Sequence, residues 1–263
     1  MNSKPFQHIK VTLFIFFVWV CIPIYSQKNN QKFTKINIEL DGETVFDVSV
    51  ITQDHQGYMW FETNLGLIKY DGFKARKYDL RKPRYNSFSD DYIMSLMVDS
   101  QGILWVGANS GLSNYDQVCD CFYHFPEVIN NHSLTQISAI SEDKNKNIWI
   151  GTNNGNLFKY NRSDETFTRF LHNLPNKEII KDRIGALLVD KLNNLWIGTD
   201  SGLIRYNIAI EQIDFYIHDP FSDNSIIDNR IRAVYEDQKG QILIGTANSG
   251  LHVYHPENDV VKR

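Results

Sequence analysis

Short apolar runs separated by turn residues recur along most of the chain. In one stretch the runs cover residues 93–98, 103–106, 112–115 and 122–125, with polar or glycine-containing segments between them. Apolar runs of about four to six residues bounded by Gly, Asn and Asp are typical of strands, because helices need longer periodic segments. This stretch therefore predicts four strands joined by tight turns.

The same four-run pattern occurs five times, at a spacing of 44 to 47 residues. In each unit an Asp lies six residues before a Trp, or before Leu243 in the fifth unit, and a Gly and a Tyr follow. The repeated Asp, Trp and Gly residues are Asp54, Trp60 and Gly66; Asp99, Trp105 and Gly111; Asp143, Trp149 and Gly155; Asp190, Trp196 and Gly202; and Asp237 and Gly250. The closing tyrosines are Tyr70, Tyr115, Tyr160, Tyr206 and Tyr254. A fixed period of this size indicates a repeat architecture.

The second run of each unit is apolar on both faces. Leu104 and Val106 point to one side of their strand, and Trp105 and Gly107 point to the other. A two-layer sandwich would leave one face of each sheet in water and would alternate apolar with polar residues. Stacking four-stranded antiparallel sheets around an axis covers both faces, which is the arrangement of a β-propeller. We therefore predict an all-β propeller of five four-stranded antiparallel blades, with the tryptophans between blades and Gly leaving room for close packing.

In three of the five units the first turn has the form Asp-x-x-Gly. Its glycines, Gly57, Gly102 and Gly240, can adopt left-handed backbone angles. Asn193 holds this position in the fourth unit, and Asn tolerates such angles. Lys146 holds it in the third unit. We therefore expect a distorted first turn there.

The chain begins with a segment that differs from the repeats. Lys4 and Lys10 precede an apolar stretch over residues 11–25. This pattern predicts a secretory signal peptide over residues 1–26. An uncleaved membrane anchor is the alternative. Residues 27–47 form an N-terminal segment with a lone strand at 33–39, and the repeats occupy residues 48–263. The protein is expected in the periplasm, and a formal net charge of −4 argues against nucleic acid as a partner.

Cys119 and Cys121 are the two cysteines that follow the predicted signal peptide. In a strand, residues at this spacing lie too far apart for a disulfide, so we expect none. A metal site would need further ligands, and no Cys or His pair repeats nearby. The sequence therefore predicts no metal and no cofactor.

Three units carry a close family resemblance: residues 143–160 (DKNKNIWIGTNNGNLFKY), 190–206 (DKLNNLWIGTDSGLIRY) and 237–254 (DQKGQILIGTANSGLHVY). The linkers over residues 85–93, 129–137 and 221–231 share an Asn-Ser-like lead into the next strand. These units resemble two-component regulator propeller repeats. The resemblance implies the periplasmic sensor portion of a hybrid histidine kinase of Bacteroidetes, which senses oligosaccharides released from glycans.

The resembled sensors usually carry two seven-bladed propellers, a membrane helix and a kinase. The kinase is absent from this chain, so we expect no enzyme activity and interpret the chain as an N-terminal fragment of such a sensor. The fifth unit supplies its own fourth strand at residues 259–262. We therefore expect an open arc of an intended seven-bladed ring, since a strand added from the N-terminal segment would be surplus.

The linkers between repeats are the expected ligand-binding regions, because loops on a rigid scaffold usually carry function. An oligosaccharide is the expected partner. The candidate contact residues are Tyr85, Tyr92, Tyr123, His124, Arg183, Phe221 and Arg230.

Two alternatives stay open. A protein-interaction scaffold could self-associate through open blade edges. A propeller glycosidase would need a pair of carboxylates facing across a site. Glu62 and Asp200 depart mildly from the repeat and are the candidates for such an acid.

Overall fold

The structure, a computed structural model, describes residues 35–40, 42–78, 92–129, 131–170 and 182–262. The chain divides into two compact units, Met1–Ile36 and Asn37–Arg263. The predicted signal peptide lies outside the described residues. In place of the lone strand expected at 33–39, residues 35–38 form no strand, and β1 (Glu39–Leu40) pairs with β2 (Glu43–Thr44) in a short hairpin. The backbone turns back at Gly42, whose φ is 83°.

Five four-stranded sheets follow this hairpin, and we call them blades 1 to 5. Blade 1 contains β3 (Val50–Gln53), β4 (Met59–Thr63), β5 (Gly66–Tyr70) and β6 (Ala75–Tyr78). Blade 2 contains β7 (Ile93–Val98), β8 (Leu104–Ala108), β9 (Leu112–Asp116) and β10 (Cys121–His124), and the hairpin β11 (Val128–Ile129) and β12 (His132–Ser133) follows it. Blade 3 contains β13 (Ile137–Glu142), β14 (Ile148–Thr152), β15 (Leu157–Asn161) and β16 (Thr166–Phe170). Blade 4 contains β17 (Ile184–Val189), β18 (Asn194–Thr199), β19 (Leu203–Asn207) and β20 (Gln212–Tyr216). Blade 5 contains β21 (Ile231–Glu236), β22 (Ile242–Thr246), β23 (Leu251–His255) and β24 (Val260–Lys262).

Within each blade the four strands are antiparallel and are hydrogen-bonded in chain order. The first strands of consecutive blades pack side by side, from β3 through β7, β13 and β17 to β21. The second strands β8, β14 and β18 are buried along their whole length, because a neighbouring blade covers each face. This arrangement confirms the predicted all-β propeller with five four-stranded blades.

The repeated Asp joins the first turn of a blade to the Trp six residues later. In blade 4, Oδ1 of Asp190 accepts the backbone N–H groups of Leu192 at 2.9 Å and Asn194 at 2.8 Å, and Oδ2 accepts Nε1–H of Trp196 at 2.8 Å. The corresponding indole hydrogen bonds measure 2.9, 2.7 and 3.0 Å in blades 1, 2 and 3. One buried carboxylate thus satisfies a turn and an indole, which explains the constant spacing of six.

Each Trp lies between two blades, as predicted, and all four are at most 1% exposed. The Trp of one blade contacts the closing Tyr of the next. The ring centroids are 5.0 Å apart for Trp60 and Tyr115, 5.8 Å for Trp105 and Tyr160, 6.1 Å for Trp149 and Tyr206, and 4.8 Å for Trp196 and Tyr254. In each of these pairs the Trp belongs to the earlier blade in the chain and the Tyr to the blade that follows it.

The Gly two residues after the Trp forms a socket for the next blade. A Cβ placed on Gly151 would lie 2.5 Å from Cγ2 of Ile184, and one on Gly198 would lie 2.6 Å from Cγ2 of Ile231. Both isoleucines open the first strand of the following blade. The prediction that Gly permits close packing at this position is confirmed. At Gly245 of blade 5, the nearest atom to such a Cβ is 3.5 Å away in the same blade.

The two ends of the array carry exposed apolar side chains. Ile51 of β3 is 56% exposed, and Tyr235 of β21 and Leu251 of β23 are 62% and 56% exposed. The equivalents of Leu251 in blades 1, 2 and 4, Leu67, Leu112 and Leu203, are at most 1% exposed. This exposure is consistent with the open arc expected from the sequence, and the open arc stays a prediction.

The first turn of blade 3 is regular, so the expected distortion is wrong. Lys146 adopts φ of 67°, close to the 66° of Asn193. Its N–H donates to the Asp143 carbonyl at 2.9 Å, and Oδ1 of Asp143 accepts the N–H groups of Asn145 and Asn147. These hydrogen bonds hold a lysine in an angle that it rarely adopts.

Cys119 and Cys121 form a disulfide, which contradicts the expectation from their spacing. Cys119 lies in the turn before β10, and Asp120 between the cysteines adopts a left-handed φ of 53°. The chain therefore doubles back and brings the two Cα atoms to 5.3 Å, a normal separation for a disulfide. The error lay in treating both residues as part of one extended strand.

Candidate functional site

The linkers and second turns of all blades emerge at the same end of the sheets, because the strands of each blade alternate in direction. We call this end the linker edge. It consists of the second turns at residues 64–65, 109–111, 153–156, 200–202 and 247–250, and of the described linker residues 92, 125–129, 131–136, 182–183 and 217–230. Four of the seven predicted ligand-binding residues, Tyr92, Arg183, Phe221 and Arg230, belong to these described linkers.

A ladder of hydrogen bonds crosses the linker edge from blade 2 to blade 4. The Asn109 N–H donates to the Tyr92 carbonyl, the Gln136 N–H donates to the Asn109 carbonyl, and the Asn153 N–H donates to the Gln136 carbonyl, each at 2.9 Å. Nε of Arg183 then donates to Oδ1 of Asn153 at 2.9 Å. The ladder fixes the backbone at Tyr92, Asn109, Gln136 and Asn153, and the Asn153 side chain accepts a hydrogen bond from Arg183.

Three predicted residues hold equivalent positions on this edge. Tyr92, Arg183 and Arg230 each directly precede the isoleucine that opens a first strand. Gln136 holds the same position before blade 3, and the sequence reasoning missed it. The signal was its place in the repeat, immediately before Ile137. Backbone bonding recurs as well, since the Ala247 N–H donates to the Arg230 carbonyl at 2.9 Å.

Side-chain pairs also lie on the linker edge at blades 4 and 5. Arg232 forms an ion pair with Asp200, and Ser201 donates a hydrogen bond to Asp182. The Asn248 N–H donates to Oδ2 of Asp228 at 2.9 Å. This part of the edge therefore presents guanidinium, carboxylate and amide groups in fixed positions.

The remaining predicted residues are more dispersed. Phe221 is 97% exposed in the linker before blade 5. His124 is partly buried, and its Nδ1 lies 2.7 Å from Oγ of Ser113. Burial lowers the pKa of His124, which favours the neutral imidazole. Tyr123 lines a separate cavity of about 490 Å³ together with first-turn and third-turn residues, and Tyr85 lies outside the described residues.

A cavity of about 570 Å³ opens where blade 1 meets the linker edge. Glu62 and Thr63 of β4 are buried at 6% and 5% exposure, and both line it. Its other walls are Asp47, Ser49, Asn64, Leu65, Gly66, Lys77 and Tyr92. The cavity thus adjoins the ladder at Tyr92.

The opposite edge carries carboxylates that join neighbouring blades. Asp259 accepts hydrogen bonds from the hydroxyls of Tyr216 at 2.6 Å and Tyr254 at 2.9 Å, and Nη1 of Arg205 lies 3.1 Å away. Burial by itself raises the pKa of Asp259, but the hydrogen bonds and the Arg205 charge outweigh burial and lower it overall. Blades 1 and 2 are joined in the same way by Asp120 with Tyr78, Tyr115 and Arg76.

The described part of the chain holds no group of three or more His, Cys, Asp or Glu side chains placed to bind a metal. No helix in that part is both long enough and apolar enough for a membrane span. Of the two acids considered for glycosidase chemistry, Glu62 lines the cavity and Asp200 pairs with Arg232.

The repeat geometry agrees with the comparison to known families. The pattern of the two component regulator propeller family matches residues 87–110, 132–154 and 225–248. Each match runs from a linker through the first turn into or just past the second strand, in blades 2, 3 and 5. These three segments are similar to two component regulator propeller repeats. Among curated proteins no relative matches this chain.

Solved structures with the same fold include two extracellular domains from B. thetaiotaomicron. The domain of the hybrid two component system BT4673 is 21% identical with a TM-score of 0.53, and the match covers 87% of this chain and 39% of that one. The domain of the hybrid two component system BT3049 is 19% identical with a TM-score of 0.53, over 81% of this chain and 34% of that one. Virginiamycin B lyase from Staphylococcus aureus is 14% identical with a TM-score of 0.63, over 86% and 74%. At these identities the likeness concerns the fold, and this chain spans well under half of the two B. thetaiotaomicron chains.

Proposed function

We propose that this protein is the extracytoplasmic ligand-binding module of a two-component signalling system and that its ligand is a glycan-derived oligosaccharide. Two findings support the proposal. Three segments match two component regulator propeller repeats, and structures with the same fold include extracellular domains of hybrid two component systems. The signal would be passed to a kinase, and the site of action is the periplasm.

The hydrogen-bonded ladder of the linker edge is the observation that carries the ligand class. Its backbone hydrogen bonds hold Asn109, Gln136 and Asn153 in a row, and the Asn153 side chain accepts a hydrogen bond from Arg183. Planar amide groups donate and accept hydrogen bonds and a guanidinium group donates them in pairs, which suits the vicinal hydroxyls of a sugar. An extended row of such groups suits a chain of several sugar units. Fixed positions also reduce the entropy lost on binding.

Isothermal titration of the purified chain against a panel of oligosaccharides tests this function. We expect at least one oligosaccharide to bind, and we expect Arg183→Ala to weaken that binding about tenfold through loss of a charged hydrogen bond. Arg76→Ala is the matched control, because Arg76 is a largely exposed arginine near the opposite edge. Absence of binding across the panel, or equal weakening by both variants, would contradict the proposal.

Self-association through the ends of the array is a second candidate function. The apolar side chains of Ile51, Tyr235 and Leu251 are more than half exposed, and exposed apolar surface of this kind marks contact sites. Light scattering over a range of concentrations measures the oligomeric state. Dimers that dissociate on Tyr235→Asp substitution support this candidate, and a monomer at every concentration excludes it.

A further inference from the structure

The third turn of blade 2, which joins β9 to β10, differs from the third turns of other blades in two ways. The first difference is the disulfide between Cys119 and Cys121. The bend of the backbone does not require this bond, because three third turns without cysteine have the same left-handed angle: φ is 56°, 56° and 55° at Glu165, Glu211 and Asp259. The disulfide therefore restrains a turn whose shape the repeat already provides.

The second difference is Gln117, which lies two residues after the closing Tyr of blade 2. In blade 3 this position holds Arg162, whose Nη2 lies 2.6 Å from Oδ2 of Asp99 and whose Nη1 donates to the side chain of Gln101. Gln117 is shorter and neutral, and it exchanges two amide hydrogen bonds with Gln56 at 3.1 and 3.2 Å. An amide pair between blades 1 and 2 thus replaces the charged bridge between blades 2 and 3.

A cavity of about 490 Å³ lies beside this amide pair, between the first turns of blades 1 and 2 and the third turn of blade 2. Its volume lies within the range of about 300–1,000 Å³ found for small-molecule sites. Tyr123 lines it with a side chain that is 55% exposed. Four side-chain amides line it as well, those of Gln56, Gln101, Asn114 and Gln117. The cavity thus combines one aromatic ring with several groups that both donate and accept hydrogen bonds.

We propose that this cavity binds a neutral sugar, as a second site on the edge opposite the linker edge. The inference goes beyond the proposed function, whose ligand lies on the linker edge. Sugar hydroxyls donate and accept hydrogen bonds, and each amide has two N–H donors and one acceptor oxygen, so the bonds within the protein use only part of its capacity. The Tyr123 ring offers an apolar face to the carbon side of a sugar ring. Among the described residues that line the cavity there is no Lys or Arg, so an anionic sugar would find no positive partner among them.

The disulfide lies between two of the residues that would hold the sugar. Gln117 precedes Cys119 by two residues, and Tyr123 follows Cys121 by two residues. A turn held in one conformation loses less entropy when a ligand binds to it. Both departures of this turn from the repeat, the disulfide and Gln117, are therefore explained by one preformed site.

Titration of the full chain with glucose, galactose, mannose, maltose and lactose, followed by backbone amide NMR shifts, tests the inference. We expect at least one of these neutral sugars to shift the amides of residues 101–103 and 116–123. Gln117→Arg gives blade 2 the residue that blade 3 has, and it should weaken this binding about tenfold by occupying the cavity. Gln238→Arg adds the same charge at an exposed first-turn position of blade 5 and should bind as the wild type does.

Two further variants address the aromatic ring and the disulfide. Tyr123→Ala should weaken the binding about tenfold, whereas Tyr235→Ala, which removes another exposed tyrosine, should leave it unchanged. Cys119→Ser with Cys121→Ser should weaken the binding about threefold, because the turn is then less restrained before the sugar binds. Unchanged affinity in the double serine variant overturns the role of the disulfide.

The outcomes separate this inference from the proposed function. Absence of shifts at the cavity with every sugar of the panel overturns the inference alone, and so does binding that Gln117→Arg and Tyr123→Ala leave unchanged. If Tyr123→Ala fails to fold, Gln117→Arg decides, because it alters an exposed side chain. Arg183→Ala should leave the shifts at the cavity as they are. Shifts at the cavity without binding of any oligosaccharide at the linker edge overturn the proposed function and support this inference.

Discussion

Nε1 of Trp196 donates a hydrogen bond to Oδ2 of Asp190 at 2.8 Å, while Oδ1 of the same carboxylate holds the preceding turn. Removal of this carboxylate leaves buried donors without partners. We expect Asp190→Ala to lower the free energy of unfolding by about 3–5 kcal/mol. Urea unfolding followed by tryptophan fluorescence measures the change.

Asp237→Ala is the matched control for that substitution. Asp237 accepts the N–H groups of Lys239 and Gln241 in the same way, but Leu243 offers no indole donor. Its turn is partly exposed, so water can replace the lost hydrogen bonds. We expect a loss of about 1 kcal/mol. Equal losses in the two variants would show that the indole hydrogen bond contributes little.

The sockets formed by Gly can be tested by adding one methyl group. Gly151→Ala places its Cβ 2.5 Å from Cγ2 of Ile184, so blades 3 and 4 must move apart. We expect a loss of about 1–3 kcal/mol in the free energy of unfolding. Gly245→Ala meets its nearest atom at 3.5 Å and should change stability by less than about 1 kcal/mol. Thermal and urea unfolding of both variants measure these values.

The disulfide between Cys119 and Cys121 predicts a chemical result. Protein folded under oxidising conditions should show no free thiol at these two positions, and its tryptic peptide should lack two hydrogens. Because the closed loop is very short, Cys119→Ser with Cys121→Ser should cost only about 1–2 kcal/mol. Thiol titration and mass spectrometry decide the point, and two reactive thiols in the folded chain would refute the pairing.

The interactions of the Asp259 carboxylate predict that the stability of the protein depends on pH. Its pKa is lowered in the folded chain, because the hydrogen bonds from Tyr216 and Tyr254 and the Arg205 charge outweigh the effect of burial. A lowered carboxyl pKa contributes stability above the unfolded value of about 3.9, and this stability is lost as the pH falls through the folded value. Asp259→Asn should therefore lower the Tm at neutral pH and bring it close to that of the wild type in acid.

A second variant checks the cause of this pH effect. Tyr216→Phe combined with Tyr254→Phe removes both hydroxyl donors and leaves the carboxylate in place. The Tm difference from the wild type should again shrink as the pH falls below about 4. A difference that stays constant from neutral to acid pH would show that the hydroxyl groups stabilise the protein independently of the charge on Asp259.

Much of this fold could be predicted because one unit is repeated five times. A spacing of six residues joins an Asp to a Trp in blades 1 to 4, and its cause is a carboxylate that bonds a turn and an indole together. In blades 2, 3 and 4 the Gly two residues after the Trp recurs because a side chain of the next blade occupies its space. Repetition separates such structural residues from those that vary for other reasons.

The errors have physical causes that a single sequence does not reveal. Asp120 adopts a left-handed angle, and nothing in its residue type shows that this angle brings Cys119 and Cys121 together. Gln136 takes its place in the ladder through its backbone, so its side-chain type carried no signal. The carboxylate of Glu62 was noticed as a departure from the repeat, but its cavity depends on residues that are distant in sequence.

The directional contact between Trp149 and Tyr206 bears on how such arrays evolve. Because every indole meets the tyrosine of its successor, duplication or loss of one whole repeat recreates the same pairing at the new junction. Copy number can therefore drift through recombination without new compensating substitutions. Selection on specificity then acts mainly on the connecting segments, which differ from unit to unit while the framework is copied.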